Sequence, residues 1–474
     1  MDSLRILVLL AFATFFGAST ASIHKYNNEG FSLAGNARSF HGGNEAVYAS
    51  TARGLSFVRF EEVTFVRTFE SARKHNASRS VSGLVEAILF ERQDRLRIGD
   101  TLLENNGICC TAELADTGSC SVGEVIIRRD DLDWPRRIQT FFQGNQTVAR
   151  MSPETVGINK SGNYELYFMI CDKDLEGTTV SGRSIWMSSG GYLPAKEAPL
   201  LSFFGFMAVA YLLLGLLWFL RVSNYMTHLQ HQISLIIALG MFEMAIQYFH
   251  YADFNVTGVR PVEVTLRTVT FSAARKTICW FLLLLVSMGY GVIKPTQQGI
   301  TPRVVLAGLF CFFETLAFHL AADLEIVRES GQMIISLLVP VTLVDVCLIF
   351  WIFSSLAKTL TLLQSQRDMV KLRIYRDFTN TIGLSVIVST LWIPFEIYVY
   401  ATDMSGLQGE WIITAFWHFL SFALLAAACF IWSPVQIPRA AYHRPEETTQ
   451  EDGVEEAASE IELPEMSTQR RVSV

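Results

Sequence analysis

Two hydrophobic rhythms divide this chain. Up to about residue 195 the apolar positions come in short alternating bursts, and from residue 200 they come in unbroken runs. Leu200 to Leu220 reads LLSFFGFMAVAYLLLGLLWFL and holds no charged residue. At about 1.5 Å of rise per helical residue, such a run crosses a hydrocarbon core of roughly 30 Å. Six further runs fall at about 232–251, 274–293, 304–322, 333–356, 378–401 and 411–432. They predict an all-α bundle of seven transmembrane helices over 200–432. Pro340 and Pro394 fall inside the fifth and sixth runs, where each removes a helical hydrogen bond and favours a bend.

The bursts before the bundle have the period of strands. In Gly162 to Asp172, Tyr164, Leu166, Phe168 and Ile170 face one way, while Glu165, Tyr167 and Met169 face the other. Ser56 to Thr68 is rich in β-branched and aromatic residues. Val81 to Phe90, Glu124 to Arg129 and Arg137 to Phe142 are shorter candidates, with Gly, Asn, Asp and Pro between them. The pattern predicts an antiparallel β-sandwich over 23–195. The fold class is therefore a membrane protein: an all-β sandwich followed by an all-α seven-helix bundle.

Residues 1–22 read as a secretory signal peptide, with Arg5 ahead of the apolar Ile6 to Phe16 and a small-residue cleavage site at Ser19-Thr20-Ala21. The β domain is then expected in the lumen. Its four cysteines, Cys109, Cys110, Cys120 and Cys171, imply two disulfides, and three connectivities are open. A bond between the neighbours Cys109 and Cys110 would be strained and is the least favoured. Glycosylation sequons occur at Asn76, Asn145 and Asn159, and a fourth, Asn255, is expected in the luminal loop after the second span. With that topology the cytosolic connections carry Arg221, Lys294, Arg303, Lys358, Arg367, Lys371, Arg373 and Arg376, as the positive-inside rule asks. Arg260, Arg267, Arg275 and Lys276 fall on the luminal side.

The net charge of −7 is concentrated at the end: residues 435–474 hold nine acidic residues against four arginines. That tail is expected to be disordered and cytosolic, with an acidic run able to recruit sorting machinery. Arg470-Arg471-Val472-Ser473 makes Ser473 a candidate phosphorylation site. No basic face points to nucleic acid.

Ionisable residues inside the spans are Glu243, Glu314, His319, Asp345, Glu396 and His418. A charge facing lipid is costly, so such residues usually turn inward or toward water. As a group they predict a polar vestibule open to the lumen, able to take a ligand, a lipid headgroup or a cation. Taken singly, each reads as an interhelical hydrogen bond. Zinc hydrolysis on His250, His319, His418 and Asp345 lacks any His-Glu-x-x-His pattern. Cys279, Cys311, Cys347 and Cys429 read as small packing residues. No catalytic, cofactor or metal set emerges, and no enzyme is expected.

Longer motifs carry a resemblance. SIHKYNNEGF at 22–31, HGGNEAVYAS at 41–50, FVRFEEVTFVRT at 57–68, GICCTAEL at 107–114 and GEVIIRR at 123–129 resemble the luminal opening of the lung seven-transmembrane receptor family. IALGMFEMA at 237–245, ARKTICWFLLLLVSMGYGVIKP at 274–295 and FWIFSSLAKTL at 350–360 extend it through the bundle. The likeness is greatest to the plant members, called candidate G-protein-coupled receptors, which resemble transmembrane protein 87. It implies a luminal sandwich of the Golgi-dynamics (GOLD) type. It also implies traffic between endosomes and the trans-Golgi network, and a lumen-facing cavity able to hold a phospholipid. A cation conductance has been proposed for relatives and disputed. Only motif positions carry over, such as Glu243 within GMFEMA and Lys294-Pro295.

Three functions follow as expectations. The first is a Golgi trafficking protein whose luminal domain binds cargo. The second is a receptor coupled to a G protein, although Asp-Arg-Tyr after the third span and Asn-Pro-x-x-Tyr in the seventh are both absent, with Tyr290 to Pro295 standing at the first position. The third is a cation channel or lipid-binding protein using the polar cavity.

Overall fold

The computed structural model describes residues 22–49, 54–77, 83–99, 107–116, 118, 120–128, 134–222, 228–290, 302–323, 331–401 and 410–433. Residues 1–21 of the expected signal peptide lie outside them, as do the tail from 434 and Ser473.

Two five-stranded antiparallel sheets face each other. The first runs β1 (Ile23–Gly30), β10 (Thr179–Met187), β4 (Phe57–Val66) and β7 (Val148–Arg150), with β8 (Thr155–Gly157) also on β4. The second runs β2 (Ser32–Ala34), β3 (Ala37–Val47), β9 (Gly162–Ile170), β5 (Leu84–Glu91) and β6 (Arg136–Phe141). The alternation along β9 is realised: Tyr164, Leu166, Phe168 and Ile170 pack between the sheets with Phe60 and Phe65 of β4 and Val180 and Trp186 of β10. Tyr26 of β1 crosses that core, its hydroxyl donating to the Gly42 carbonyl at 2.5 Å. A helix, α1 (Phe69–Ala77), follows β4 and contains Asn76, whose side chain is not among those described.

The outer face of the second sheet is covered, and this changes two expectations. Glu124 to Arg128, the described part of the strand expected up to Arg129, is not a strand. It contributes isolated bridges, Val125 to Cys109 and Ile127 to Ile98, inside an insert that also holds the short helix α2 (Ala112–Asp116). Val125, Ile98, Ile108 and Ile127 of the insert pack on Ile88, Phe90, Met169 and Tyr167, the outward residues of β5 and β9. A strand covered on both faces has no polar side to display, so β5 is buried from end to end. Two disulfides hold the insert: Cys109–Cys171 ties it to the end of β9, and Cys110–Cys120 closes a short loop within it. The neighbours Cys109 and Cys110 are not bonded to each other.

Seven helices follow: α3 (Ala198–Arg221), α4 (His228–Thr257), α5 (Val262–Ser287), α6 (Pro302–Asp323), α7 (Gly331–Ser365), α8 (Met369–Ala401) and α9 (Glu410–Ile431). Six are long and apolar enough to cross a membrane; in α6 the apolar stretch among described residues is the shorter Val304–Ala317. The chain is a multi-pass membrane protein. Helices α7 and α8 run through Pro340 and Pro394 without ending. Two boundaries differ from the sequence expectation in a way that matters. Helix α5 begins at Val262, not near 274, so Arg275 and Lys276 lie about 20 Å along it, at mid-helix rather than at a surface. Glu263 and Arg267 lower the hydropathy of its first turns and hide them from a search for apolar runs. Helix α4 continues to Thr257, so Asn255 sits in its last turn and not in a loop.

Candidate functional site

The polar chemistry of the bundle is organised by two successive residues of α5. Residues one apart on a helix point about 100° apart, so Arg275 and Lys276 reach different neighbours.

Arg275 is the buried pole. Its guanidinium pairs with the carboxylate of Glu243 on α4, and the two side chains are 9% and 1% exposed. Ser272, one turn back on α5, donates its hydroxyl to Glu243 Oε1 at 2.5 Å. Arg275 Nη1 donates to Ser421 Oγ of α9 at 3.4 Å, and Tyr211 of α3 lies within electrostatic range of Arg275. One arginine thus ties three helices together. Glycine at 240 makes this possible: a Cβ there would lie 2.3 Å from the ring of Tyr211. The GMFEMA motif therefore supplies the gap that admits Tyr211 and, three residues on, the counter-ion of Arg275. His418, on the same face of α9 as Ser421, sets its ring edge-on to Phe204 at 5.4 Å.

Lys276 is the open pole. Its Nζ lies 3.5 Å from Asp345 Oδ2 on α7, with side chains 35% and 33% exposed. Glu314 and Cys311 of α6 are within electrostatic range of both. Glu314 Oε1 is buried and has no hydrogen-bond partner among the described residues. Asp345 is paired with the ammonium, and Glu314 lies near both.

The six predicted intramembrane residues are therefore not gathered round one point. Glu243 belongs with Arg275, and His418 lies in the electrostatic range of that arginine. Glu314 and Asp345 belong with Lys276. Glu396 stands apart on α8, where its Oε2 accepts from Trp417 Nε1 at 3.3 Å. His319 falls in α6, and its side chain is not among those described. Sequence reasoning missed Arg275, Lys276, Ser272, Tyr211 and Ser421 as partners. The signal available was a pair of cations followed by an apolar run with no helix start signal between them.

A third polar group joins the bundle to the β domain. Arg260, just after α4, pairs with Glu197 ahead of α3 and lies over the rings of Phe254 at 4.3 Å and Tyr251 at 5.5 Å. Asn255 Nδ2 donates to the Gly190 carbonyl at 3.1 Å, while its Oδ1 accepts from the Leu193 amide at 3.1 Å. Its own carbonyl accepts from Tyr192 N. Gly191 is required beneath it, since a Cβ there would sit 2.3 Å from Asn255 Oδ1. A glycan on that amide nitrogen would replace one of its two N–H donors, at a side chain already packed against Gly190 to Leu193. Asn145 and Asn159, by contrast, are exposed on turns of the β domain.

Within the β domain Glu86 is the most deeply buried carboxylate among the described residues. It accepts from the Val125 amide at 2.6 Å and from Gln139 Nε2 at 3.1 Å, and Arg137 Nε lies 3.2 Å away. Burial pushes this carboxyl above its ordinary value, with Arg137 opposing. Among the described residues no three His, Cys, Asp or Glu side chains converge to hold a metal.

Comparison with known proteins places the bundle. The profile of the GOST seven transmembrane domain matches residues 199–439. Transmembrane protein 87A of Xenopus tropicalis is 32% identical over 256 residues, covering 52% of this chain and 46% of the relative. Transmembrane protein 87B of Mus musculus is 30% identical over 251 residues, covering 52% and 44%. Membrane protein PTM1 of Saccharomyces cerevisiae is 25% identical over 260 residues, covering 52% and 49%. The chain spans about half the length of these curated relatives.

Proposed function

The chain belongs to the GOST seven-transmembrane family, and from that premise we propose that it is a Golgi membrane protein acting in transport between endosomes and the trans-Golgi network. In this reading residues 1–22 direct the β domain to the lumen and the acidic tail faces the cytosol. The sandwich binds cargo or a partner and performs no catalysis. The observation that carries the reading is the seam at Arg260, Glu197 and Asn255. It makes the β domain continuous with the helices, so a ligand on the sandwich is coupled to the bundle and to the tail that recruits sorting machinery. Glycans then belong on the exposed Asn145 and Asn159, with Asn76 a further acceptor, and Ser473 phosphorylation would add about −1.5 to −2 charge to the tail. The test is localisation of tagged full-length protein at native expression, beside a version truncated after Tyr442. Golgi residence of the first and its loss in the second are expected. Full-length protein at the plasma membrane overturns the reading.

One observation favours a second reading, that of a cation or lipid site. The surplus carboxylate at the open pole, with Glu314 Oε1 lacking a partner, suits a cation or the amine of a phospholipid headgroup. Purified protein in planar bilayers tests it: Glu314→Gln and Asp345→Asn should change conductance or lipid retention, and unchanged values remove both residues from the site. Coupling to a G protein rests on helix number, a fold-level analogy.

A further inference from the structure

The end of the bundle opposite the β domain carries a face on which basic residues outnumber acidic ones. Helices α7 and α8 meet at Arg367, whose φ is 54°. Around this turn Lys358, Arg367, Arg373 and Arg376 are exposed, and none has an ion-pair partner among the described residues. Lys371 alone is paired, with Asp368 at 3.5 Å. Met369 and Val370 stand among these cations, Met369 at 72% exposure. From 358 to 377 the face holds five basic residues and two acidic ones.

The chain leaves the bundle beside this face. Trp432, at the end of α9, is buried with its ring edge-on to Tyr375 at 5.6 Å and to Phe378 at 6.0 Å, both in the first turns of α8. Tyr375 is in turn held by the Val286 carbonyl of α5 at 3.1 Å. The exit is therefore fixed about 12 Å along α8 from Arg367. Beyond it no acidic residue occurs before Glu446; then nine occur up to Glu465, with no basic residue among them. Thirteen residues, 433–445, separate the exit from Glu446, and a flexible linker of that length reaches about 20 Å, which covers the distance. Tethering at that length gives an effective concentration on the order of millimolar.

We propose that the acidic run 446–465 docks on the basic α7–α8 face of its own chain. The attraction is between net charges of opposite sign held within one tether length, and it is sensitive to salt because both sides are at the surface. A docked run is withheld from other basic surfaces, so this contact competes with whatever else the tail recruits. The proposal does not rest on where in the cell the protein resides. Anionic lipid is the competing occupant, and the experiment separates the two.

Full-length protein carrying photoreactive benzoylphenylalanine at 369 is placed in nanodiscs of phosphatidylcholine alone, irradiated and digested for mass spectrometry. Adducts to residues 446–465 are expected. Their yield should fall at least about fivefold with R367E/R373E/R376E, and likewise with E446K/E447K/E451K/E455K/E456K or in molar salt. Combining the two charge reversals should restore it, which also shows that the altered chains fold. Yields indifferent to both reversals, or no restoration in the combined variant, overturn the proposal. So does an absence of tail adducts in phosphatidylcholine together with lipid adducts when phosphatidylserine is added, which assigns the face to the membrane.

Discussion

The two halves of this chain put charge in opposite places. In the β domain Phe60, Phe65, Leu166 and Phe168 are inside, while ion pairs such as Arg183–Glu61 and Arg38–Glu176 lie at the surface. In the bundle Phe206, Phe219 and Leu220 face outward, while Glu243 and Arg275 are inside. Water surrounds the first and lipid the second, so the group that is costly to expose is reversed. The β domain has one instructive exception. Glu86 is buried and Arg137 half-buried where the disulfide-bonded insert docks on the second sheet. In both halves, then, an ion pair with a buried carboxylate marks the joint between pieces: insert to sheet, and three helices to one another.

That contrast can be broken by removing single groups. The largest expected loss is Arg275→Met, which leaves Glu243 buried without its counter-ion at a cost of about 3–5 kcal/mol. Lys276→Met, at the open pole, should cost about 1 kcal/mol or less. Denaturation midpoints of the detergent-solubilised protein measure both, and equal losses would show that the two poles do not differ. In the apolar terms, Phe168→Ala should cost about 3–5 kcal/mol and the lipid-facing Phe219→Ala within about 0.5 kcal/mol. A large loss at Phe219 would mean that its exposed face is covered by protein.

Disulfides sharpen the comparison because they act on the β domain alone. Loop closure over 62 residues gives about 4 kcal/mol for Cys109–Cys171, and over 10 residues about 3 kcal/mol for Cys110–Cys120. Cys171→Ser should therefore lower the β-domain transition more than Cys120→Ser, with the bundle transition unmoved in calorimetry. At the seam, glycopeptide mapping should find Asn145 and Asn159 modified and Asn255, half-buried against Gly190 to Leu193, less so. Full occupancy at Asn255 would show that one remaining N–H is enough for the Gly190 contact.

The smallest effect is a pH slope. Because burial raises the Glu86 carboxyl, the folded domain retains a proton that the unfolded chain releases. This stabilisation is complete below the unfolded value of about 4.3 and is lost as pH rises through the folded one. Thermal transitions of the β domain measured upward from mildly acid pH should show that decline, and Glu86→Gln should flatten it. An identical slope in the variant would place the titration elsewhere.

Periodicity was enough to determine the order of the two halves, the inward face of β9 and the existence of the helices, because each depends on which solvent a residue meets next to its own neighbours in the chain. The even cysteine count determined that bonds exist, yet the spacing left three pairings open. The pairings were settled by folding, since Cys109 meets Cys171 only where the insert closes over β9. Strands β1 and β10 escaped notice because their polar positions are satisfied by partners far away, Tyr26 by Gly42 and Ser184, and Arg183 by Glu61. The start of α5 was hidden for the same reason. A window of hydropathy reads Arg275 and Lys276 as surface, and only the arrival of Glu243 and Asp345 from other helices makes mid-helix cations tolerable. Asn255 was read as a free acceptor because a sequon is local, whereas the Gly190 carbonyl that occupies its amide is 65 residues away. Local sequence carries the cost of exposing a side chain; the partner that removes that cost is a property of the tertiary fold.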